Sequence, residues 1–265
     1  SNINVKKIYV ISLFNNIMNA EELGDEILKY GDVVFLTGAG ISSNAGIPTF
    51  RGKNGLWSYI DPEKFTIEYF MKNPEEWWSI SFELFDLFLN VSPTPSHYAI
   101  AQLEKMGIVK AVITQNIDGL HKKAGSKNVI ELHGNVSNLK CIFCQNEYRI
   151  EDFLEGLREG KIPKCPKCGN ILKTGAILFD EEIPRKELLL SIYYASTCKM
   201  MIIVGTSLLV YPAASLPYYA KKNNSKIVYI NKEIGEYVGD FDYIQEDSDK
   251  IIPMAVKHIK EKIEY

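Results

Sequence analysis

Nothing in the 265-residue chain is apolar for long enough to cross a bilayer. The longest apolar run near its beginning, Ile8 to Phe14, follows Lys6 and Lys7 and has no convincing cleavage site after it, so it reads as a piece of buried strand or helix. Positive charge is not in excess either: 30 Lys and Arg against 33 Asp and Glu leave a formal net charge of −3. Such a chain has no global pull toward phosphate backbones or anionic membranes, and neither is an expected partner. The five cysteines do not make the even framework of a secreted disulfide scaffold, which points to a reducing compartment. Lysine- and asparagine-rich text such as Lys221 to Glu233 forms no repeat or low-complexity tract.

What is present is 46% hydrophobic and 24% charged, the balance of a soluble globular chain with one large domain and a smaller one. Leu23, Ile27 and Leu28 carry helical spacing, and Asp32 to Leu36 reads as a buried strand between Gly31 and Gly38. Asp61 to Asn90, rich in Trp, Phe and Leu and broken by Pro62 and Pro74, predicts helices. A helix over Ser96 to Met106 and strands over Val109 to Thr114 and Asn128 to Leu132 follow. Residues 136–178 change character, being short, charged and punctuated by Lys and Gly. After them come a strand over Lys199 to Val204, a helix around Ala213 to Asn223, a strand over Lys226 to Ile230 and a terminal helix from Ile252. This alternation implies α/β architecture: a Rossmann-like, doubly wound parallel sheet over 1–60, 91–135 and 179–265, with a helical sub-module over 61–90 and a small module over 136–178.

Gly38-Ala39-Gly40-Ile41-Ser42-Ser43 directly follows a strand, where glycines let a turn approach a pyrophosphate. Ser43 stands where the third glycine of the generic fingerprint would be, so the turn alone fits a nucleotide site and a plain connection equally. The polar loop continuing to Gly52 is too long for a minimal strand-to-helix turn, which favours function. Cys141-x-x-Cys144 and Cys165-x-x-Cys168, with 20 residues between the pairs, have the spacing of a tetrahedral zinc site. Four protein thiolates leave no open position, so such a metal would be structural. A DNA-binding zinc ribbon is the alternative, with only Lys161, Lys164 and Lys167 to support it. His133 ends a strand at the carboxyl edge where open α/β sheets place ligands, whereas His97, His121 and His258 are expected to be satisfied core residues. Gln115, Asn116 and Asp118 gather amide and carboxylate groups at the same edge, although Asp118 would equally serve as a helix cap.

The run GAGISSNAGIPTFRG, Gly38 to Gly52, resembles the cofactor-loop signature of the sirtuin family, and Thr114 to Asp118, His133-Gly134, Gly205 to Ser207 and Ile230 to Glu233 follow in family order. The resemblance covers the chain from about residue 20 onward. Two positions depart from the family pattern: Ala45 replaces a usual serine, and Phe179-Asp180-Glu181 replaces a usual Phe-Gly-Glu.

The resemblance implies an NAD-dependent protein lysine deacylase. Its NAD contacts would be Gly38, Ala39, Gly40, Ser42, Ala45, Ile47, Thr49, Phe50, Arg51, Gln115, Asn116, Ile117, Asp118, His133, Gly205, Thr206, Ser207, Asn231, Lys232 and Glu233. His133 and Asn116 would be catalytic, the imidazole taking a proton from a ribose hydroxyl, and Phe50 would shield the reacting sugar from water. Ile177, Phe179, Asp180, Glu181 and Val210 would hold an acylated lysine peptide, adding it as a strand. One zinc would sit on the paired cysteines. Nicotinamide and 2′-O-acyl-ADP-ribose would leave. Acylated protein tails, histones first, are the implied partners, with chromatin silencing as the setting and the nucleus favoured over the cytoplasm. No acid-binding Tyr-x-x-Arg pair follows Asn73-Pro74, so a neutral acyl tunnel near Ile80, Phe82 and Leu84 is expected. ADP-ribosyl transfer or NAD hydrolysis in the same pocket, a chromatin-binding module with an idle nucleotide fold, and a dehydrogenase remain the rival readings.

Overall fold

The structure is a computed structural model and describes residues 18–51, 53–233 and 241–264; the apolar run Ile8 to Phe14 lies outside them. Nine strands are found among the described residues: β1 (Val33–Thr37), β2 (Val109–Thr114), β3 (Val129–Glu131), β4 (Asn138–Lys140), β5 (Glu147–Arg149), β6 (Lys173–Thr174), β7 (Met200–Val204), β8 (Lys226–Ile230) and β9 (Asp242–Ile244). Six of them form one parallel sheet in the order β3-β2-β1-β7-β8-β9, and β5-β4-β6 form a small antiparallel one. Chain order reverses between β1 and β7, which opens a crevice at the carboxyl ends of those two strands.

The helices are α1 (Ala20–Tyr30), α2 (Ile67–Lys72), α3 (Pro74–Asn90), α4 (Pro95–Lys105), α5 (Leu120–Lys123), α6 (Leu154–Arg158), α7 (Arg185–Thr197), α8 (Leu216–Lys222) and α9 (Ser248–Ile263). Helices α1, α4 and α9 cover one face of the large sheet through Leu23, Ile27, Ile100, Leu103, Ile252 and Val256. Helices α7 and α8 cover the other through Ala195, Leu216 and Ala220. With both faces covered, β1 and β7 are buried along their whole length, which is why they read as unbroken apolar runs. Local signals set the ends of α1: Asn19 and Glu22 form a reciprocal capping box, and Gly31 stops the helix at φ 67°.

A third core joins α3 to the small sheet. Trp77, Trp78, Phe85 and Phe88 pack with Leu139, Cys141, Ile150 and Leu172, and the Trp78 indole donates to the Leu172 carbonyl at 2.9 Å.

Three elements differ from the sequence reading. Helix α9 begins four residues before Ile252, at Ser248, because the Asp247 carboxylate accepts the Asp249 N–H and caps it there. Helix α7 and edge strand β9 were not expected: α7 buries small Ser191 and Ala195 while Leu189 and Tyr193 face out, so its apolar residues do not mark its buried face. His258 is not a core residue; it sits on the seam of α1 and α9, paired with Asp25 at 2.8 Å.

Candidate functional site

A cavity of about 920 Å³ opens at the carboxyl ends of β1, β2, β3, β7 and β8. Its rear is two turns pressed together. Gly38 N–H donates to the Val204 carbonyl and Gly40 N–H to the Gly205 carbonyl, at 3.0 and 2.8 Å. A Cβ on Gly40 would lie 2.7 Å from Gly205 Cα, and one on Gly38 2.6 Å from Thr206 Cβ. Gly205 itself holds φ 65°. These glycines therefore exist so that the turns after β1 and β7 can touch. Beyond Gly38 the chain enters a short 3-10 segment, Ala39–Ala45. The amides of Ala39 and Ser207 find no acceptor among the described residues and lie on the cavity wall.

His133 lies on the same wall as this turn. Its Nδ1 is 3.0 Å from the Gln115 carbonyl, an acceptor only, so Nδ1 carries the proton and Nε2 keeps a free lone pair. Burial lowers the imidazole pKa, with the Gln115 bond opposing in part, which favours the neutral, basic ring near pH 7. Gln115 is fixed in turn by its Nε2, donating to Thr206 Oγ1 at 2.8 Å. Asn116 is 5% exposed and donates from Nδ2 to the Gly38 carbonyl at 3.0 Å, tying the β2 loop to the glycine turn.

Behind Asn116 is a closed polar layer. Ser42 donates to Asp118 Oδ2 at 2.7 Å, and Asp118 Oδ1 takes the Leu120 N–H at 2.9 Å; the residue at the N-cap of α5 is Gly119, not Asp118. Desolvation raises the Asp118 pKa against these two bonds. His97 and His121 stack edge to face 4.8 Å apart, with His121 Nε2 2.8 Å from Thr37 Oγ1 and its Nδ1 without a partner among the described residues.

Ala39, Thr49, Phe50, Arg51, Gln115, Ile117, Gly205, Thr206, Ser207, Asn231, Lys232 and Glu233 all line the cavity with Gly38, Gly40, Asn116 and His133. So do Ile177, Phe179, Asp180, Glu181 and Val210. Ser42 and Asp118 lie in the layer behind it, while Ala45 and Ile47 pack into the third core.

Opposite the glycine turns the wall is aromatic and apolar. Trp57 stands 5.5 Å from Phe50, 5.4 Å from Phe65 and 5.5 Å from Phe179 between ring centroids. Leu56, Phe65, Leu84, Phe85 and Ile117 continue this wall; of the trio expected there, Leu84 lines it and Ile80 and Phe82 do not. Trp57 was not singled out in the sequence, since its place comes from rings distant along the chain. The segment from Ile177 to Glu181 is pinned at three points. Ile177 N–H donates to the His133 carbonyl at 2.7 Å, Phe179 N–H to the Phe65 carbonyl, and Ile67 N–H to the Phe179 carbonyl. Asp180 holds φ 67°, a conformation that favours glycine.

Cys141, Cys144, Cys165 and Cys168 bring their Sγ atoms within 4.8 Å of one another, and none is in a disulfide. A tetrahedral zinc with bonds of about 2.3 Å requires sulfurs about 3.8 Å apart. The Cys141–Cys168 and Cys144–Cys165 pairs are each at 3.5 Å, and Asn146 and Asn170 amides point at Cys144 and Cys168 as donors to thiolates would. Among the described residues no helix is long and apolar enough to cross a membrane.

Comparison with known proteins agrees with this geometry. A model described as the Sir2 family matches residues 38–212. The NAD-dependent protein deacylase 2 of Archaeoglobus fulgidus is 44% identical over 247 residues, covering 89% of this chain and 97% of that one. A Sir2 homologue solved as an NAD complex superposes with a TM-score of 0.82 at 35% identity, covering 92% and 94% of the two chains. Sir2Af2, solved with a myristoylated histone peptide, gives 0.76 at 37% identity, covering 92% and 98%. On the fold, the paired glycine turns and these likenesses, the chain belongs to the Sir2 family.

Proposed function

We infer that this chain is an NAD-dependent protein lysine deacylase whose acceptor base is His133. The observation that carries the reading is the imidazole: its Nδ1 is tied to the Gln115 carbonyl, and it shares one cavity with the turns at Gly38 and Gly205. Those turns fit NAD. The free amides of Ala39 and Ser207 suit its pyrophosphate, and Asn231 and Glu233, just beyond β8, suit a ribose. When bound, NAD supplies a ribose carbon that accepts the acyl group as nicotinamide leaves. Phe50 and Trp57 close that region against water, and Asn116 is held by Gly38 to face it. His133 Nε2 then takes a ribose hydroxyl proton, a step that needs the neutral ring burial favours. Zinc on the four cysteines would brace the third core and take no part in chemistry.

The acylated lysine is proposed to lie between Ile177–Glu181 and Ser207–Val210, bonding by backbone and so tolerating sequence. Histone tails fall in this class, as the peptide bound to Sir2Af2 illustrates. Leu84, Phe85, Phe65 and Ile117 favour an uncharged acyl group of some length, because none of these four side chains can pair with an acidic one.

Mass spectrometry of products from NAD and acetyl-, myristoyl- and succinyl-lysine peptides tests this. Expected are peptide-dependent nicotinamide release, an acylated ADP-ribose product, and faster turnover of the two neutral acyl groups. His133→Ala should lower turnover by about 10²- to 10⁴-fold with the fold intact. Nicotinamide release that ignores the peptide would instead support the hydrolase or ADP-ribosyl transfer reading.

A further inference from the structure

The segment carrying Ile177 and Phe179 is wound around one buried ammonium. Lys173, in β6, is 4% exposed. Its Nζ donates to the carbonyls of Thr174 at 2.6 Å and Ala176 at 2.9 Å, and to Glu181 Oε2 at 2.9 Å. Every proton of the ammonium is thus used. The same Glu181 oxygen accepts the Leu178 N–H at 2.6 Å, and the Glu181 N–H returns to the Leu178 carbonyl at 3.1 Å. A charge taken out of water is expensive even when paired, so a buried ion pair is a poor device for stability alone. It is a good device for shape: three acceptors at fixed distances from one nitrogen define the path of the backbone from Thr174 to Glu181.

That path decides where the peptide-facing groups lie. Between the two charged residues, Gly175 N–H reaches the Asn138 carbonyl and Ile177 N–H reaches the His133 carbonyl, at 2.6 and 2.7 Å. The pair therefore stands between the small sheet and the residue that carries the base. Asp180, next to Glu181, is left in the left-handed region by the same turn.

We propose that Lys173 and Glu181 are a positioning pair for the acyl-lysine substrate, holding the Ile177–Phe179 segment in register with the peptide without touching the reacting atoms. The proposal rests on the reading of that segment as the peptide-binding edge. Glu181 in this arrangement contributes to substrate binding through Lys173 and Leu178, its carboxylate being already engaged.

The test is steady-state kinetics of Lys173→Met and Glu181→Gln, varying acyl peptide and NAD in turn. The peptide KM should rise by about 10- to 100-fold while kcat and the NAD KM stay within about threefold, and Lys173→Arg should recover most of the loss. The double variant Lys173→Met with Glu181→Leu removes both charges; it should recover melting temperature lost by either single variant without recovering the peptide KM. An unchanged peptide KM in Glu181→Gln, or a kcat that falls with the folded fraction while both KM values hold, would overturn the pairing. A wild-type protein that turns over no NAD with any acyl peptide would sink the deacylase reading itself, and the proposal with it.

Discussion

The two sides of the cavity are built by opposite means. The glycine-turn side is made of strand ends: backbone groups after β1, β2, β7 and β8 bond to each other, and the turns fit because Gly38, Gly40 and Gly205 have no side chains to separate them. The peptide side borrows its parts. Phe65 and Ile67 come from the helical region, Lys173 from the small sheet, and Trp57 from the segment after the glycine-rich loop, and what joins them is a ring stack and a buried ion pair. A side built from backbone tolerates little change, whereas one built from side chains can vary its specificity residue by residue. Asp180, in a place the family usually fills with glycine, lies on the second side, as that contrast requires.

Removing the zinc proposed for the four cysteines should break the contrast most sharply. With zinc on Cys141, Cys144, Cys165 and Cys168, as proposed, a chelator should cost the small sheet that presents Lys173 a stabilisation of about 10 kcal/mol, and Cys165→Ser a part of it. Peptide-dependent turnover should vanish, and Trp77 and Trp78, packed between α3 and that sheet, should shift their fluorescence to the red. The strands of the large sheet share none of this core, so NAD should still bind the chelated protein in a calorimetric titration, though more weakly, because Ala45 and Ile47 beyond the glycine turn do pack into it. Full activity with metal shown absent by elemental analysis would mean that the peptide side stands on its apolar packing alone.

The glycine-turn side has its own weak point, which is acid. His97 is buried and its pKa is lowered to about 4 by desolvation, with Asp249 opposing; His121 is lowered well below its usual value by the same cause. A histidine neutral in the fold takes up more protons when unfolded, so its stabilisation is complete above pH 6.5 and is lost as pH falls from 6.5 toward the folded pKa. For His97 that loss reaches about 3 kcal/mol near pH 4. Urea midpoints measured from pH 7 to 4 should show it, and His97→Asn should flatten the slope within that window; an equal slope in the variant would place the acid sensitivity elsewhere.

How much of this was legible in the sequence follows the same division. The strands of the large sheet other than edge strand β9, the glycine turn and the paired cysteines each announce themselves locally, through apolar runs, a strand-turn motif and a metal spacing. What was not legible is contact between distant parts. No local pattern says that Gly40 and Gly205 meet, that Trp57 stands among Phe50, Phe65 and Phe179, or that Lys173 lies buried against Glu181. The Phe-Asp-Glu departure was visible in the text, yet only the fold shows that Asp180 sits at φ 67° and lines the cavity.

That residue offers the smallest effect and the finest separation of the two sides. An L-residue in the left-handed region is strained, Asp less than most, and glycine relieves the strain while adding freedom to the unfolded chain. The two effects nearly offset, so Asp180→Gly should raise stability by only about 0.5 kcal/mol, and Asp180→Ala should lower it by about 1 kcal/mol. The exposed carboxylate has no partner among the described residues, so it should also favour peptides with a basic residue beside the acyl-lysine. A solvent-screened charge of this kind is worth no more than about fivefold in KM, and raised salt should erase it. Asp180→Gly should remove that preference and leave the NAD constants alone, because the change touches only the side assembled from borrowed parts; a change in NAD affinity of similar size would show that the two sides are coupled through Ile177 and His133.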